Sequence, residues 1–403
     1  MFELMNYAIS KILDDGGFIN IVINDTIKVN NLKDNDKSLF TKVVYGVVEK
    51  KIFLDYQLSK YLNSKVIKDV NNYLRIGCFC ILFLNLSKPY VVNTIVEIIK
   101  QQYVKYVSLT NAILRNIARN GESPIEKVNI CNYYSIKYSY PYNLVTYIYK
   151  MYPNEIEDIL CEPNNTYNTY RINDRTKLKL ENIDFKIIDD ALITKTNLNN
   201  SMLVKQGILD IQNPSSMEVV KVLNPEKGKD ILDMCSAPGT KVVQLALYLE
   251  DDANITSIDL YPHKVKLIEQ SIKNHKLKSI KTIVADSTTY NFNKQFDYIM
   301  LDAPCSGLGV MKHKVDLKYR FSFAELENIY GLQKALLGKA YLLLKDNGIM
   351  TYSTCTINKM ENEEIMRYFL KKHKDMEVLY ESKRLPDDIY DGFYICKLIK
   401  RGK

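Results

Sequence analysis

Two cysteines in unlike settings carry the chemistry that this sequence makes available. Cys305 lies in Leu301-Asp302-Ala303-Pro304-Cys305-Ser306-Gly307, and Cys355 in Tyr352-Ser353-Thr354-Cys355-Thr356. Each follows a short apolar run that reads as a buried strand, residues 296–301 and 348–352. A lone cysteine is ordinarily a small buried apolar residue, and Cys78, Cys80, Cys131, Cys161 and Cys396 take that reading. Cys305 and Cys355 instead pass from strands into turns of Pro, Gly, Ser and Thr, where core cysteines are less common. A third apolar run carries a glycine-bearing turn, Ile231-Leu232-Asp233-Met234-Cys235-Ser236-Ala237-Pro238-Gly239-Thr240-Lys241. If the three runs lie parallel in one sheet, their carboxyl ends meet at one edge. Two thiols would then stand beside a nucleotide-type pocket, an arrangement suited to attack on a pyrimidine ring.

In an open α/β sheet, ligands bind outside the carboxyl ends of the strands. Ser236-Ala237-Pro238-Gly239 falls at such an end, with Cys235 expected to pack beneath it. Gly239 lets the backbone approach a ligand without a Cβ in the way. The helix starting near Thr240 offers free N–H groups to a carboxylate or similar anionic group. Asp259 ends the next strand, 20 residues after Gly239, where an acidic side chain can accept both hydrogen bonds from a ribose diol. Taken alone, Asp259 reads equally well as the N-cap of the following helix. Asp286 closes a third strand, where it would meet an adenine amino group, and Asp302 closes a fourth. NAD and S-adenosylmethionine pockets share this layout, so the pocket leaves both open.

The thiols choose between them. Hydride transfer needs no cysteine pair, whereas methylation of cytosine at carbon 5 needs a nucleophile, because that carbon is unreactive in the aromatic ring. A thiolate adding to carbon 6 makes carbon 5 enamine-like and able to take a methyl group from a sulfonium. A base then removes the carbon-5 proton, and elimination frees the thiol; one hard step becomes two easier ones. The attacking cysteine must be substantially thiolate, which calls for a polar or cationic setting.

The elements needed to position these residues are legible. The 403 residues correspond to two or three domains at roughly 150 residues each. From about residue 216, strand patterns at 230–234, 255–260, 282–285, 296–301, 348–353 and 393–399 alternate with helical patterns at 241–250, 263–274, 323–344 and 359–372. Alternation of this kind predicts a Rossmann-like α/β domain, a mostly parallel sheet covered by helices, here over 216–403. The last strand follows the turn-rich Leu385-Pro386-Asp387-Asp388 without a full helix and is expected to insert antiparallel. Residues 1–122 read as all-helical, with apolar residues at helical spacing in Leu39, Val43, Val44, Val47 and Val48 and again in Val92, Ile95, Val96 and Ile99. Asp36 and Ser38 are the expected N-cap residues of the second helix, and Pro89 divides the third helix from the fourth. Gly121-Glu122-Ser123-Pro124 signals a linker. Between them, 123–215 reads as a small α+β domain, with a helix at 142–151 and a strand at 169–173.

Composition narrows the class. Hydrophobic content of 46% with 25% charged residues is ordinary for a soluble globular protein. Net charge is +8, and residues 1–120 hold 16 Lys and Arg against 10 Asp and Glu; that suits a polyanionic partner. The eight cysteines form no CxxC pair and the four histidines are scattered, so no metal is expected, and free thiols point to a reducing cytoplasm. The most apolar stretch, 76–86, is too short to span a bilayer, and no secretory signal pattern is present; no membrane association is expected.

At the cysteine motifs the sequence resembles a known family. Asp302 to Gly307 and Ser353 to Thr356 resemble motifs IV and VI of the RNA 5-methylcytosine methyltransferases. The resemblance continues in Gln206-Gly207, in Gln212-Asn213-Pro214-Ser215-Ser216, and from Pro386 through Asp391-Gly392-Phe393-Tyr394. The N-terminal third resembles the NusB-like RNA-binding domain, notably in Thr110-Asn111-Ala112-Ile113-Leu114-Arg115. Together these are similar to the bacterial RsmB (Fmu/Sun) family, which methylates a cytosine of small-subunit ribosomal RNA. The resemblance implies that S-adenosylmethionine is the methyl donor, that Cys355 is the nucleophile, and that Cys305 assists proton removal and product release. It implies a donor site lined by Cys235, Ser236, Ala237, Pro238, Gly239, Thr240, Lys241, Asp259, Asp286 and Asp302, and a target equivalent to position 967 of 16S rRNA. The expected partner is small-subunit ribosomal RNA rather than DNA, and the protein is expected to act as a monomer. A non-catalytic NusB-like scaffold and a methyltransferase of the same chemistry acting on tRNA are the competing readings. Two departures stand out: Thr240 replaces the family's second glycine, and His313-Lys314-Val315-Asp316 replaces its His-Pro-Asp run. For RNA contact, Arg115 and Arg119 share one helix face, and Arg171 and Asn173 alternate on a strand. Tyr133, Tyr134, Tyr138 and Tyr140 read as packing rather than base-stacking residues.

Overall fold

The computed structural model describes residues 1–62, 64–163 and 166–402. They divide into two compact units: Met1–Glu162 with His313–Arg320, and Pro163–Lys312 with Phe321–Lys403. The stretch 123–215 is thus shared between the two, and residues 313–320 count with the first.

The first unit is helical. Its seven leading helices are α1 (Phe2–Leu13), α2 (Ile19–Val29), α3 (Asp34–Glu49), α4 (Lys51–Ser59), α5 (Lys68–Phe83), α6 (Lys88–Gln102) and α7 (Val107–Asn120). Helix α5 is apolar on most of its circumference, as a central helix must be, and packs against α1, α3, α4, α6 and α7. Cys78 and Cys80 are fully buried in it, as small core residues. Asp36 and Ser38 are not caps: they lie inside α3, which begins after Lys33. Asp34 and Asp36 there occupy the first turn, where the positive end of the helix dipole favours acidic side chains. Pro89 sits in the first turn of α6, where its missing N–H leaves no bond unmade. Helices α8 (Ile130–Lys137), α9 (Tyr142–Met151) and α10 (Ile156–Leu160) complete the set. Tyr140 is buried, while Tyr134 and Tyr138 bond to Glu157. Residues 313–320 are held through Val315, which joins the helical core, and through Lys318, whose Nζ donates to the Glu49 carbonyl at 2.6 Å.

The second unit opens with a small antiparallel sheet of β1 (Asn168–Ile172), β2 (Phe185–Ile188), β3 (Ala191–Thr194) and, after α11 (Met202–Lys205), β4 (Leu209–Ile211), in the order β2-β3-β1-β4. Next come α12 (Pro214–Leu223), β5 (Asp230–Asp233), α13 (Thr240–Tyr248), β6 (Asn254–Asp259), α14 (Pro262–His275), β7 (Ile280–Val284) and β8 (Phe296–Asp302). Then follow α15 (Phe323–Leu343), β9 (Leu344–Thr354), α16 (Ile365–Lys372), β10 (Met376–Arg384) and β11 (Phe393–Lys400). The seven-stranded sheet runs β10-β11-β9-β8-β5-β6-β7. Strands β5 to β9 pair in parallel, and β11 lies antiparallel to both β9 and β10. Because side chains alternate between faces, Leu232, Ile299 and Leu301 enter one core with residues of α15 and α16. Ile231, Tyr298 and Met300 enter the other with residues of α12, α13 and α14. This is the Rossmann-like arrangement expected from the alternation. Strand β10 is the addition. It is an edge strand with residues 377–381 all exposed, so it lacks the apolar alternation that would mark it in sequence.

Candidate active site

The meeting of the two cysteines follows from strand register. In the parallel pair β8 and β9, Leu301 lies opposite Tyr352 and Asp302 opposite Ser353. The Ala303 N–H then donates to the Ser353 carbonyl at 2.8 Å, so the two chains leave the sheet side by side. Three residues on from Asp302 and two on from Ser353, the sulfurs of Cys305 and Cys355 lie 3.3 Å apart. That is too long for a disulfide, whose sulfurs sit about 2.05 Å apart, and fits an S–H···S hydrogen bond. Both residues are partly exposed.

A glycine contact fixes the loop that follows Cys305. The Gly309 N–H donates to the Cys355 carbonyl at 3.1 Å, and the Gly309 carbonyl accepts from the Gly392 N–H at 2.9 Å. A Cβ at position 309 would lie 2.0 Å from the Gly392 oxygen and 2.9 Å from the Cys355 oxygen. Only glycine permits this crossing, which also accounts for Gly392 in Asp391-Gly392-Phe393.

Beneath the thiols lies a buried polar network that the sequence did not announce. Glu361, fully buried in a single π turn at Met360–Glu364, accepts from the Ser306 N–H at 2.8 Å and from the Ser306 hydroxyl. It also accepts from Gln333 Nε2 at 3.1 Å and Asn358 Nδ2 at 2.9 Å. Ser306 Oγ lies 2.8 Å from Thr356 Oγ1, and Asn362 binds both Thr354 and the Thr356 carbonyl. Residues neighbouring each cysteine are thereby tied to one another. Residues 359–364 open the helical pattern expected over 359–372, and only the tertiary structure reveals that the Glu361 carboxylate turns inward.

Lys241 and Asp302 form the charged side of the site. Lys241 Nζ lies 2.6 Å from Asp302 Oδ2, and Asp302 Oδ1 accepts from the Ser353 hydroxyl at 2.7 Å. Burial pulls the Lys241 ammonium down. The charge and hydrogen bond of Asp302, then the charges of Cys355 and Asp233, outweigh it and leave Lys241 above its ordinary value. Cys305 is pushed the opposite way for a catalytic thiolate. Its hydrogen bond with Cys355, then burial, then the negative charges of Cys355 and Glu361 hold it well above the usual thiol range. Asp233, with both carboxyl oxygens buried, is pushed by burial up to about 7, against the lowering effect of Ser236.

The glycine turn sits at the carboxyl end of β5. Gly239 has φ +104°, and a Cβ there would lie 3.1 Å from the Ile268 Cα, so this glycine is required by its backbone. Thr240 begins α13 and is absent from the positive-φ residues among those described; a side chain there costs the backbone nothing. Ser236 accepts from the Ser257 hydroxyl at 2.7 Å, Ala237 is partly buried and Pro238 exposed. Cys235 is partly buried, and burial, then the charges of Asp233, Asp259 and Asp302, hold its thiol well above the usual range. Asp259 accepts from the Ala237 N–H at 3.1 Å and the Tyr261 N–H at 3.3 Å. A carboxylate offers about four lone-pair sites, so acceptors remain for a diol. Asp286 lies exposed beyond β7, where it accepts from the N–H and hydroxyl of Thr288. Ser287 beside it bonds the Met234 carbonyl, which brings this loop to the end of β5. The turn, the free N-terminus of α13 and the acceptors at 259 and 286 fit an adenosyl sulfonium with an amino-acid tail.

Arg171, expected as an RNA contact, is enclosed by protein, and Asn173, partly exposed, is bonded into the same network. Arg171 is 3% exposed, paired with Asp210 and Gln212, and donates to the Thr240 carbonyl at 2.9 Å. Its Nε donates to Asn173, which in turn donates to Gly207 and Asp210. A buried guanidinium needs such partners, and here they make Arg171 a prop beneath the glycine turn. Arg115 and Arg119 stay exposed on α7.

A Rossmann-like methyltransferase sheet with a thiol pair at its carboxyl edge, in one chain with a helical NusB-like unit, defines the class. The model of the 16S rRNA methyltransferase RsmB/F family matches residues 220–398, and that of the NusB family matches residues 3–119. The probable ribosomal RNA small subunit methyltransferase B of Bacillus subtilis (strain 168) is 31% identical over 441 residues, covering 98% of this chain and 97% of that protein. Ribosomal RNA small subunit methyltransferase B of Yersinia pestis bv. Antiqua (strain Angola) is 25% identical, with the same coverage. Among solved structures, PH0851 shares the fold at TM-score 0.81 and 20% identity, over 99% of this chain and 98% of that one. NSun6 from Pyrococcus horikoshii with SFG shares it at TM-score 0.57 and 20% identity, over 68% of this chain and 98% of that one. The chain belongs to the RsmB/F family of 16S rRNA methyltransferases.

Proposed function

We propose that this protein transfers a methyl group from S-adenosylmethionine to carbon 5 of a cytosine in small-subunit ribosomal RNA, equivalent to position 967. The observation that carries the reading is the 3.3 Å thiol pair beside the Lys241–Asp302 ion pair. S-adenosylmethionine, when bound, supplies the methyl group on a sulfonium. Cys355 adds as thiolate to carbon 6 of the ring, and the displaced electron pair makes carbon 5 nucleophilic. Asp302 is the main cause that holds Lys241 raised, and negative charge on Cys355 adds to it, so a cation stands where it would favour a thiolate at Cys355. Once the Cys355 sulfur is spent in a C–S bond, it no longer accepts a hydrogen bond or carries charge. The two Cys355 influences that keep Cys305 protonated are then gone. Carbon 5 would take the methyl group, the donor leaving as a neutral thioether; Cys305 then loses its proton to water, takes the proton from carbon 5, and the carbon-5 electron pair expels Cys355 as thiolate. The target base must be unpaired or flipped out to reach this edge, at a cost of a few kcal/mol.

The test is methylation of small-subunit RNA with labelled S-adenosylmethionine by purified protein. Cys355→Ala should lower turnover by about 10⁴-fold or more. Cys305→Ala should accumulate an RNase-sensitive covalent protein–RNA species. Turnover surviving Cys355→Ala removes the nucleophile assignment, and adducts seen only in that variant reverse the two roles.

A further inference from the structure

We propose that residues 313–320 are an anchor for the Cys305 loop, with Lys318 and Arg320 as its positioning residues, so that the helical unit contributes to the chemical step. The inference rests on the reading of Cys305 as a participant in the chemistry and adds two residues to it. The chain leaves β8 at Asp302 and enters α15 at Phe323. Connections longer than about 12–15 residues without secondary structure of their own are uncommon and usually functional. This one holds a single short 3₁₀ turn, Leu317–Tyr319, and Cys305 stands near its start. Both of its ends belong to the second unit, yet its residues 313–320 belong to the first. The His313-Lys314-Val315-Asp316 run that departs from the family pattern opens this stretch.

The anchor is made on helix ends. The last four carbonyls of a helix find no donor within it, and its negative end favours a cation. Lys318 meets both needs of α3. Its Nζ donates to the Glu49 carbonyl at 2.6 Å and lies 4.5 Å from the centre of the Tyr140 ring. Beside it the Tyr319 hydroxyl donates to the Val48 carbonyl at 2.8 Å. Arg320 reaches the turn between α1 and α2, where Nη2 donates to the Gly16 and Gly17 carbonyls at 2.9 and 3.1 Å. Its guanidinium, paired with Asp316 at 3.4 Å, lies 3.8 Å from the centre of the Phe18 ring. Val315 is packed in the helical core. Lys318 is 2% exposed, and lysines are almost never buried so fully unless paired; a mere connection would leave this one in water. Residues 306–312 are therefore held at three places: at Ser306 by Glu361, at Gly309 by the crossing, and at their far end by the anchor. Fixing a loop at both ends removes conformations it would otherwise explore. A reacting thiol needs that, since a misplacement of about 1 Å can cost about 10²-fold in rate.

The test is hydrogen–deuterium exchange of the full-length protein, read by mass spectrometry over peptides spanning 306–312, with steady-state methylation of small-subunit RNA beside it. The Ser306, Gly309 and Val310 N–H groups are hydrogen-bonded and report on the loop. Lys318→Met keeps the stem and removes the ammonium; Arg320→Ala cuts the bonds to the α1–α2 turn. Each should speed exchange in the loop about tenfold and lower kcat about tenfold. KM for S-adenosylmethionine should stay near the native value, because the glycine turn and Asp259 lie on other strand ends. Ile99→Val in α6 trims the helical core and leaves the bonds of residues 318–320 in place, so it should change neither loop exchange nor kcat. Should Lys318→Met fail to fold, Arg320→Ala still decides, since that side chain is 33% exposed. Unchanged loop exchange and kcat in Arg320→Ala overturn the proposal. So does an equal rise in loop exchange in Ile99→Val, which would mark a general loosening of the helical unit. Absence of methyl transfer by the native protein would instead overturn the functional reading and leave the exchange result standing.

Discussion

Removing one member of the Lys241–Asp302 pair leaves the other's charge in a site with little water to solvate it. Lys241 is 13% exposed at its side chain and Asp302 28%, so neither charge is well hydrated alone. Breaking such a pair is costlier than replacing both partners. Lys241→Met should therefore destabilise the protein by about 3 kcal/mol, and the double variant Lys241→Met, Asp302→Asn should recover most of that loss. Urea unfolding of the three proteins checks the ordering. Neither variant should recover methyl transfer, because the cation beside Cys355 is gone in both. The same residue-level view explains the Thr240 departure. Of two adjacent glycine positions, only Gly239 has the positive φ and the close approach to Ile268 that exclude a side chain.

At the scale of elements, the crossing of the Cys305 loop over the Cys355 strand end depends on two backbones in contact. Gly309→Ala would drive a methyl into the Gly392 carbonyl and towards that of Cys355. Overpacking of this kind costs about 1–3 kcal/mol. The thermal midpoint should fall, and methyl transfer should fall further than stability does, since a shift of Gly309 away from Gly392 also disturbs its N–H bond to the Cys355 carbonyl. Activity retained at the native level with an unchanged midpoint would show the loop to be freely adjustable. This element was only half legible in the sequence. Buried parallel strands write continuous apolar runs, so β5, β8 and β9 and the turns that end them could be read directly, and with them the candidate site. Edge strand β10 could not be read, because an exposed strand has no apolar alternation to display. Nor could the burial of Arg171 or Glu361. Charged residues are mostly exposed, and nothing local tells the one that is enclosed by partners distant in sequence. Asp210 and Gln212 enclose Arg171 from beyond 35 residues away, and Gln333 and Ser306 enclose Glu361.

For the whole molecule, the governing quantity is where the positive charge resides. Most of the net +8 lies in residues 1–120, with 16 basic against 10 acidic side chains, within the helical unit. On that unit Arg115 and Arg119 remain exposed on α7 and line, with Lys88, Val92 and Asn93, a groove of about 530 Å³. Arginines one helical turn apart can each meet a phosphate. Phosphate contacts release counterions, so affinity falls with salt in proportion to their number. Arg115→Ala with Arg119→Ala should weaken binding of small-subunit RNA by about tenfold and reduce the log–log salt slope by about 1.4 for a single-stranded target. Fluorescence anisotropy over a potassium chloride series measures both. The thiol pair lies in the other unit, so KM for RNA should rise while kcat at saturating RNA stays at the native value. An unchanged salt slope would reduce this face to solvated surface charge. A fall in kcat would tie α7 to the chemical step, which charge at a distance does not explain.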